Sequence, residues 1–232
     1  IDSKNILQKV NYNQKAMSIE NKIKEIIKKN INELGSIIIY GSAIQTNYNK
    51  YNDIDIIVVT KSKIYNNEVD KYKKIKKIKD ILKDNSIISD IEIISKNNLI
   101  KSYKNSPTLI YELKDSKIIY GKIKMPNEIE IYNIDLHMKL DWSKIPNVKP
   151  HGKEIYNALR NTVLVRLLLN KIVDNSKLKE SLYDELGKNL IERLRNNEQS
   201  NEELKYSISY LNKLTEDTRK QIKGELWEKI EL

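Results

Sequence analysis

The chain has no cysteine among its 232 residues. No disulfide framework holds it, and nothing in its thiol content argues for an oxidising compartment. Its two histidines, His137 and His151, are not four residues apart and have no cysteine partners, so the usual zinc spacings are missing. No apolar run approaches the length that spans a bilayer. The opening IDSKNILQKV lacks the apolar stretch of a signal peptide. The first residue is isoleucine rather than methionine, so the natural start is expected to differ. A cytoplasmic protein with no membrane partner is the expectation. Only four prolines occur, and three of them, Pro126, Pro146 and Pro150, fall in one stretch. There is no internal repeat and no low-complexity linker.

What is abundant is lysine. Lys+Arg number 42 against 32 Asp+Glu, a formal net charge of +10. Such a balance suits an anionic partner such as a nucleotide, RNA or a membrane surface. The plainer account, which we favour for most lysines, is the codon bias of an A+T-rich genome. The segment from Glu68 to Leu82 illustrates both readings. Val69, Tyr72, Ile75, Ile78 and Leu82 recur at helical spacing, and Lys71, Lys73, Lys74, Lys76, Lys77 and Lys79 crowd the remainder. A solvated face is the favoured reading, and an electropositive wall for polyphosphate or RNA is its rival.

Chain length allows one large domain or two small ones. Ala16, Ile19, Ile23, Ile26, Ile27 and Leu34 predict a helix over Gln14 to Leu34, stopped by Gly35. Strands are expected over Ser36 to Tyr40, Asp53 to Val59, Ile87 to Ile94 and Lys117 to Tyr120. Helices are expected over Lys96 to Tyr103 and from Pro107, well placed at a first helical position, to Lys114. Residues 126–150 read as a connecting region, with alternation up to Ile134 and then a helical period. Beyond Pro150 the pattern is helical throughout: Ile155 to Val173, a helix capped by Ser176 that runs to about Leu194, then Asn201 to Leu214 and Thr215 to Ile230. The fold class is therefore α/β, followed by an all-helical C-terminal domain. Domains are expected at 1–125 and 151–232, joined by 126–150.

The most informative stretch is SIIIYGSAIQTNYNKYNDIDIIVVT, Ser36 to Thr60. A β-branched run stops at Gly41-Ser42, where backbone N–H groups can approach a phosphate. In DIDIIVV, side chains alternate faces, so Asp53 and Asp55 share one face and Ile54 and Ile56 the other. Neighbouring carboxylates repel, and a cation between them relieves the repulsion.

Gly41-Ser42, ten intervening residues, and then Asp53-Ile54-Asp55-Ile56 resembles the signature of the polymerase-β-like nucleotidyltransferase superfamily, its minimal and antibiotic adenylyltransferase-like members in particular. The resemblance covers Gln14 to Gly121 and implies an α+β core, a mixed sheet with flanking helices. The family pattern has a third carboxylate on a later strand. Glu92 is preferred over Asp90, two residues away on the same face, because Ile93, Ile94 and Leu99 follow it as the family's third acid is followed. LRNTVLVRLLLNKIVDNSKLKESLYDEL also resembles the helical domain of aminoglycoside adenylyltransferases, with Arg160 or Arg166 and then Ser176-Lys177 in the corresponding places.

The resemblance implies an enzyme: a nucleotidyltransferase that moves a nucleoside monophosphate, AMP from ATP, onto a hydroxyl acceptor, a small molecule by preference. Asp53, Asp55 and Glu92 are the expected catalytic residues and ligands of two Mg²⁺ ions, the arrangement that in-line phosphoryl chemistry needs. Glu92 is either a metal ligand or the general base. Gly41 and Ser42 are the expected nucleotide-binding residues, and the acceptor is expected between the two parts of the chain. The alternatives are a toxin–antitoxin type transferase with a protein partner, and an RNA-directed transferase. Trp142 and Trp227 are expected to be packing residues. Tyr40 and Tyr120 end strands near the expected site, and core packing is the favoured reading for both.

Overall fold

The computed structural model describes residues 3–49, 51–144, 150–230 and 232, with side chains from 17 onward. The side chain of Ala16 and Pro146, both singled out above, lie outside the described residues. The chain divides into two compact units, one of Ile1–Ser102 with Asp115–Met125, the other of Tyr103–Lys114 with Pro126–Leu232. No helix among the described residues is long and apolar enough to cross a membrane.

The first unit is built on four strands, β1 (Leu34–Tyr40), β2 (Ile54–Thr60), β3 (Ser89–Ser95) and β4 (Lys117–Gly121), in the order β3-β2-β1-β4. β1 pairs antiparallel with β2 and β4, and β2 pairs parallel with β3. The sheet is therefore mixed, as the resemblance implies. One face carries Ile37, Ile39, Ile54, Ile56, Val58, Ile91 and Ile93 into a core with Ile23 and Ile27 of α1 (Ser3–Asn30) and Ile78 and Leu82 of α3 (Glu68–Asp84). Between β1 and β2 lies α2 (Ser42–Gln45), a single turn. The first helix ends earlier than its pattern suggested. Glu33 takes a positive φ, and Leu34 and Gly35 already belong to β1. In α3, Asn67 caps by accepting from Asp70 N–H at 2.9 Å. Val69 and Tyr72 of α3, read as inward, are exposed, because only the last turns of that helix reach the core.

The second unit gathers α5 (Pro107–Lys114), α6 (Asn133–Asp141), α7 (Gly152–Leu169), α8 (Asn175–Leu186), α9 (Lys188–Asn196) and α10 (Asn201–Gln221), while α4 (Lys96–Asn105) spans the division. Its core is lined by Ile110, Tyr111, Leu136, Leu140, Ile155, Leu159, Val163 and Leu167 with residues of α8 to α10. Tyr111 is fully buried, its hydroxyl donating to the Ile172 carbonyl and its own carbonyl accepting from Asn175 at 2.7 Å. Three expectations are corrected here. The predicted helix from Ser176 to Leu194 is two, because Gly187 takes φ +77° and breaks the ladder. Its cap is Asp174, which accepts from the N–H groups of Ser176 and Lys177. The last two predicted helices are one, α10, opened by a capping box of Ser200 and Glu203 and continuous through Thr215.

Candidate active site

Gly41 ends β1 and opens α2 with φ +75° and ψ −154°, a backbone conformation available to glycine and strained for residues with a Cβ. The need is steric as well. A Cβ on Gly41 would overlap Asp55 Oδ2 and stand 3.2 Å from the Asp55 carboxyl carbon. Glycine lets the turn lie directly against that carboxylate, which the pairing of Tyr40 with Asp55 has brought to the end of β1. Gln45 gives the first intrahelical bond, to the Gly41 carbonyl at 3.2 Å, and the N–H groups of Ser42 and Ala43 precede it. The Ser42 carbonyl accepts from Thr46 N–H at 3.0 Å and from the Thr46 hydroxyl at 2.8 Å. Its own hydroxyl has no partner among the described residues.

Asp53 stands in the bend before β2, half-buried, two residues ahead of Asp55. The register sets the third acid. Tyr40, Asp55 and Asp90 lie in one row across the strands, and Ile38, Ile57 and Glu92 in the next. Glu92 thus shares the face of Asp55, one row further along. Asp90 is the lateral neighbour of Asp55, but its side chain is 69% exposed, held by Lys79 Nζ at 3.0 Å and by Ile91 N–H at 3.1 Å. Glu92 is half-buried and has no hydrogen-bond or ion-pair partner among the described residues. Among those residues no three His, Asp or Glu side chains are close enough to cage a metal. Gly41 and Asp55 are brought together, Asp53 lies two residues ahead of Asp55 in the chain, and Glu92 shares the Asp55 face one row along the neighbouring strand. A pair of hard carboxylates beside an open backbone turn fits Mg²⁺, which takes one or two carboxylates and completes its shell with substrate phosphates and water.

The loop that carries Asp53 is tied down from behind, by a constellation the sequence reading missed. Tyr48 is 2% exposed at φ +58°. Its N–H donates to the Ala43 carbonyl at 2.7 Å, and its hydroxyl to Glu20 at 3.0 Å. Lys117 Nζ reaches both oxygens of Glu20 at 2.8 Å. Burial, then the charge of Glu20, pushes the Tyr48 phenol far up, so it stays a donor across the working pH range. No spacing signals a link between residues 20, 48 and 117. Tyr48→Phe is expected to cost about 1.5–3 kcal/mol, the scale of a hydrogen bond to a charged group. A lower urea midpoint with an unchanged m-value would show it.

The tryptophans correct another expectation. Trp142 and Trp227 are 70% and 75% exposed. Trp142 is the first residue past α6 and falls beyond the buried stripe of Leu136 and Leu140. Tyr120 is partly buried against the sheet core, in keeping with a packing role.

Residues 3–111 match the family of the central palm domain of mitochondrial-like poly(A) RNA polymerase. No curated protein matches the chain. Among solved structures, spectinomycin adenyltransferase AAD(9) from Enterococcus faecialis, solved with ATP and spectinomycin, is 20% identical with a TM-score of 0.53, over 86% of this chain and 99% of that one. A toxin–antitoxin complex with AMP-PNP is 23% identical, TM-score 0.32, over 44% of this chain and 73% of that one. A tri-AMPylated Shewanella oneidensis HEPN toxin with MNT antitoxin is 22% identical, TM-score 0.31, over 46% and 73%. Likenesses as loose as the last two add nothing to the fold assignment. The palm-domain match over residues 3–111, just short of half the chain, together with the mixed sheet flanked by helices, supports a place in the polymerase-β-like nucleotidyltransferase superfamily and an enzyme of the nucleotidyltransferase kind.

Proposed function

We propose that this enzyme is Mg²⁺-dependent and moves AMP from ATP onto a hydroxyl group of a small molecule. The observation that carries this reading is the contact of Gly41 with the Asp55 carboxylate, which sets a turn of backbone N–H groups beside the acid pair. In the reaction the acceptor oxygen bonds to the α-phosphorus, the bond from that phosphorus to the bridging oxygen breaks, and pyrophosphate leaves. The proton of the hydroxyl must go to a base. Asp53 and Asp55 are the residues that would hold Mg²⁺. When bound, two such ions neutralise the triphosphate and lower the pKa of the attacking hydroxyl. The Ser42 hydroxyl and the N–H groups of Ser42 and Ala43 bind phosphate oxygens. Glu92 takes the proton or completes the ligand set, a choice supported by the hold of Lys79 on Asp90.

The small-molecule acceptor rests on the likeness to AAD(9), which extends through the helical part and was solved with ATP and spectinomycin. An RNA 3′-hydroxyl is the second reading, favoured by the palm-domain match and the lysines of α3. Incubation with α-labelled ATP, Mg²⁺, a panel of polyhydroxylated small molecules and RNA oligonucleotides separates the two. Label on RNA alone overturns the first. Within that assay, Glu92→Gln is expected to lower the rate by about a hundredfold, the lower scale for a lost general acid or base, and Asp90→Asn to leave it within about twofold, since the charge it removes is exposed. The reverse order would transfer the role to Asp90.

A further inference from the structure

Among the described residues two charged side chains are buried, Glu20 and Lys139. Glu20 is met by Lys117 and Tyr48. Lys139, on α6 and only 7% exposed, is met by no carboxylate at ion-pair distance among the described residues. Its ammonium donates to the Thr108 hydroxyl of α5 and stands 5.7 Å from the centre of the Trp142 ring. The neighbouring ionisable groups do not balance it. Arg160 of α7 is a second cation, and the carboxylate of Glu112 lies 3.9 Å from the Arg160 guanidinium. Burial, then the charge of Arg160, pushes the Lys139 ammonium down, against a smaller upward pull from Glu112. The cluster thus holds two cations and one carboxylate on three helices of the second unit. A buried charge without a counter-charge is costly, and burial of this kind is ordinarily paired.

The donors are under-used. An ammonium has three N–H groups and a guanidinium five, and among the described residues one hydroxyl and one distant carboxylate meet them. Thr108, Glu112 and Arg160 are only half-buried, so the cluster reaches water on one side, where the exposed ring of Trp142 stands beside Lys139. We propose that Lys139, Arg160 and Thr108 form a binding site for an oxyanion group, phosphate or carboxylate, of a small molecule whose planar body lies on Trp142. The oxyanion supplies the missing negative charge and accepts the unused N–H groups in charge-assisted bonds. The ring offers the planar body a stacking face.

The test uses the full chain with Trp227→Phe, which leaves Trp142 as the only tryptophan. Its fluorescence is followed in Mg²⁺-free buffer at constant ionic strength during titration with phenyl phosphate, benzoate and inorganic phosphate. Saturable quenching by phenyl phosphate or benzoate is expected, and the tighter of the two identifies the oxyanion. Lys139→Met is expected to weaken binding by about tenfold or more, as loss of a charge-assisted contact does. It should also raise the melting temperature, because an apolar side chain replaces an uncompensated buried cation. Arg160→Gln gives an independent arm, with the same weakening and no dependence on the packing around Lys139. Absence of saturation by any probe, or unchanged affinity in both variants, overturns the site. A lowered melting temperature in Lys139→Met with unchanged affinity would assign Lys139 to structure alone.

Discussion

Asp53→Asn and Asp55→Asn are each expected to reduce nucleotidyl transfer by about a thousandfold or more, while the thermal melt stays within a degree or two of the parent. Amide for carboxylate keeps the shape that packs against Gly41 and removes only charge. Losing metal-assisted stabilisation of the transition state costs several kcal/mol, and about 4 kcal/mol corresponds to that thousandfold. The two variants should also lose Mg²⁺-dependent ATP binding, measured by calorimetry. Transfer at the parental rate in either would remove the acid pair from the chemistry. Because Asp55 lies against the turn and Asp53 in the bend before the strand, the Asp55 variant is expected to be the more severe.

Gly41→Ala is expected to damage both stability and turnover. The backbone there has φ +75°, and a non-glycine residue in sparsely populated backbone space costs about 1–3 kcal/mol. The new methyl would also overlap the Asp55 carboxylate and force it away from its position. Truncating Asp55 to alanine opens that space, so the second part of the penalty should vanish in the double variant. A double-mutant cycle by denaturant melts is expected to give a coupling of about 1 kcal/mol or more, as for residues in direct contact. Strict additivity would mean that the penalty is backbone strain alone.

Much of the first unit is legible in the chain because strands state their own faces. The alternation from Ser36 to Thr60 marks Ile37, Ile39, Ile54, Ile56 and Val58 as one side and Asp55 as the other, and they pack so. Alternation cannot state which row of a neighbouring strand lies alongside. The position of Glu92 next to Ile57 rather than Asp55 comes from the β2–β3 register, a long-range property. Helical period has a similar limit. It places a helix from Pro107 to Lys114 without naming the core that Ile110 and Tyr111 enter, and that core is built largely by α7 to α10. The break at Gly187 overrode an otherwise continuous helical pattern, and Thr215, which looked like a helix start, is buried within α10, where Thr162 Oγ1 meets its hydroxyl at 3.2 Å.

The path of the chain through its two units bears on synthesis. Tyr103–Lys114 belongs with the helices, yet the chain returns to the sheet as β4 before the rest of those helices are made. The sheet can be completed once Gly121 has left the ribosome. α5 cannot, because its buried Ile110 and Tyr111 await α6, α7 and α8, the last of which is complete only at Leu186. During elongation at ~5–20 residues per second, this apolar face has to remain uncovered for several seconds. A nascent chain halted between β4 and α7 is thus a natural client for a ribosome-associated chaperone, whereas one halted before Lys96 has no such orphaned segment.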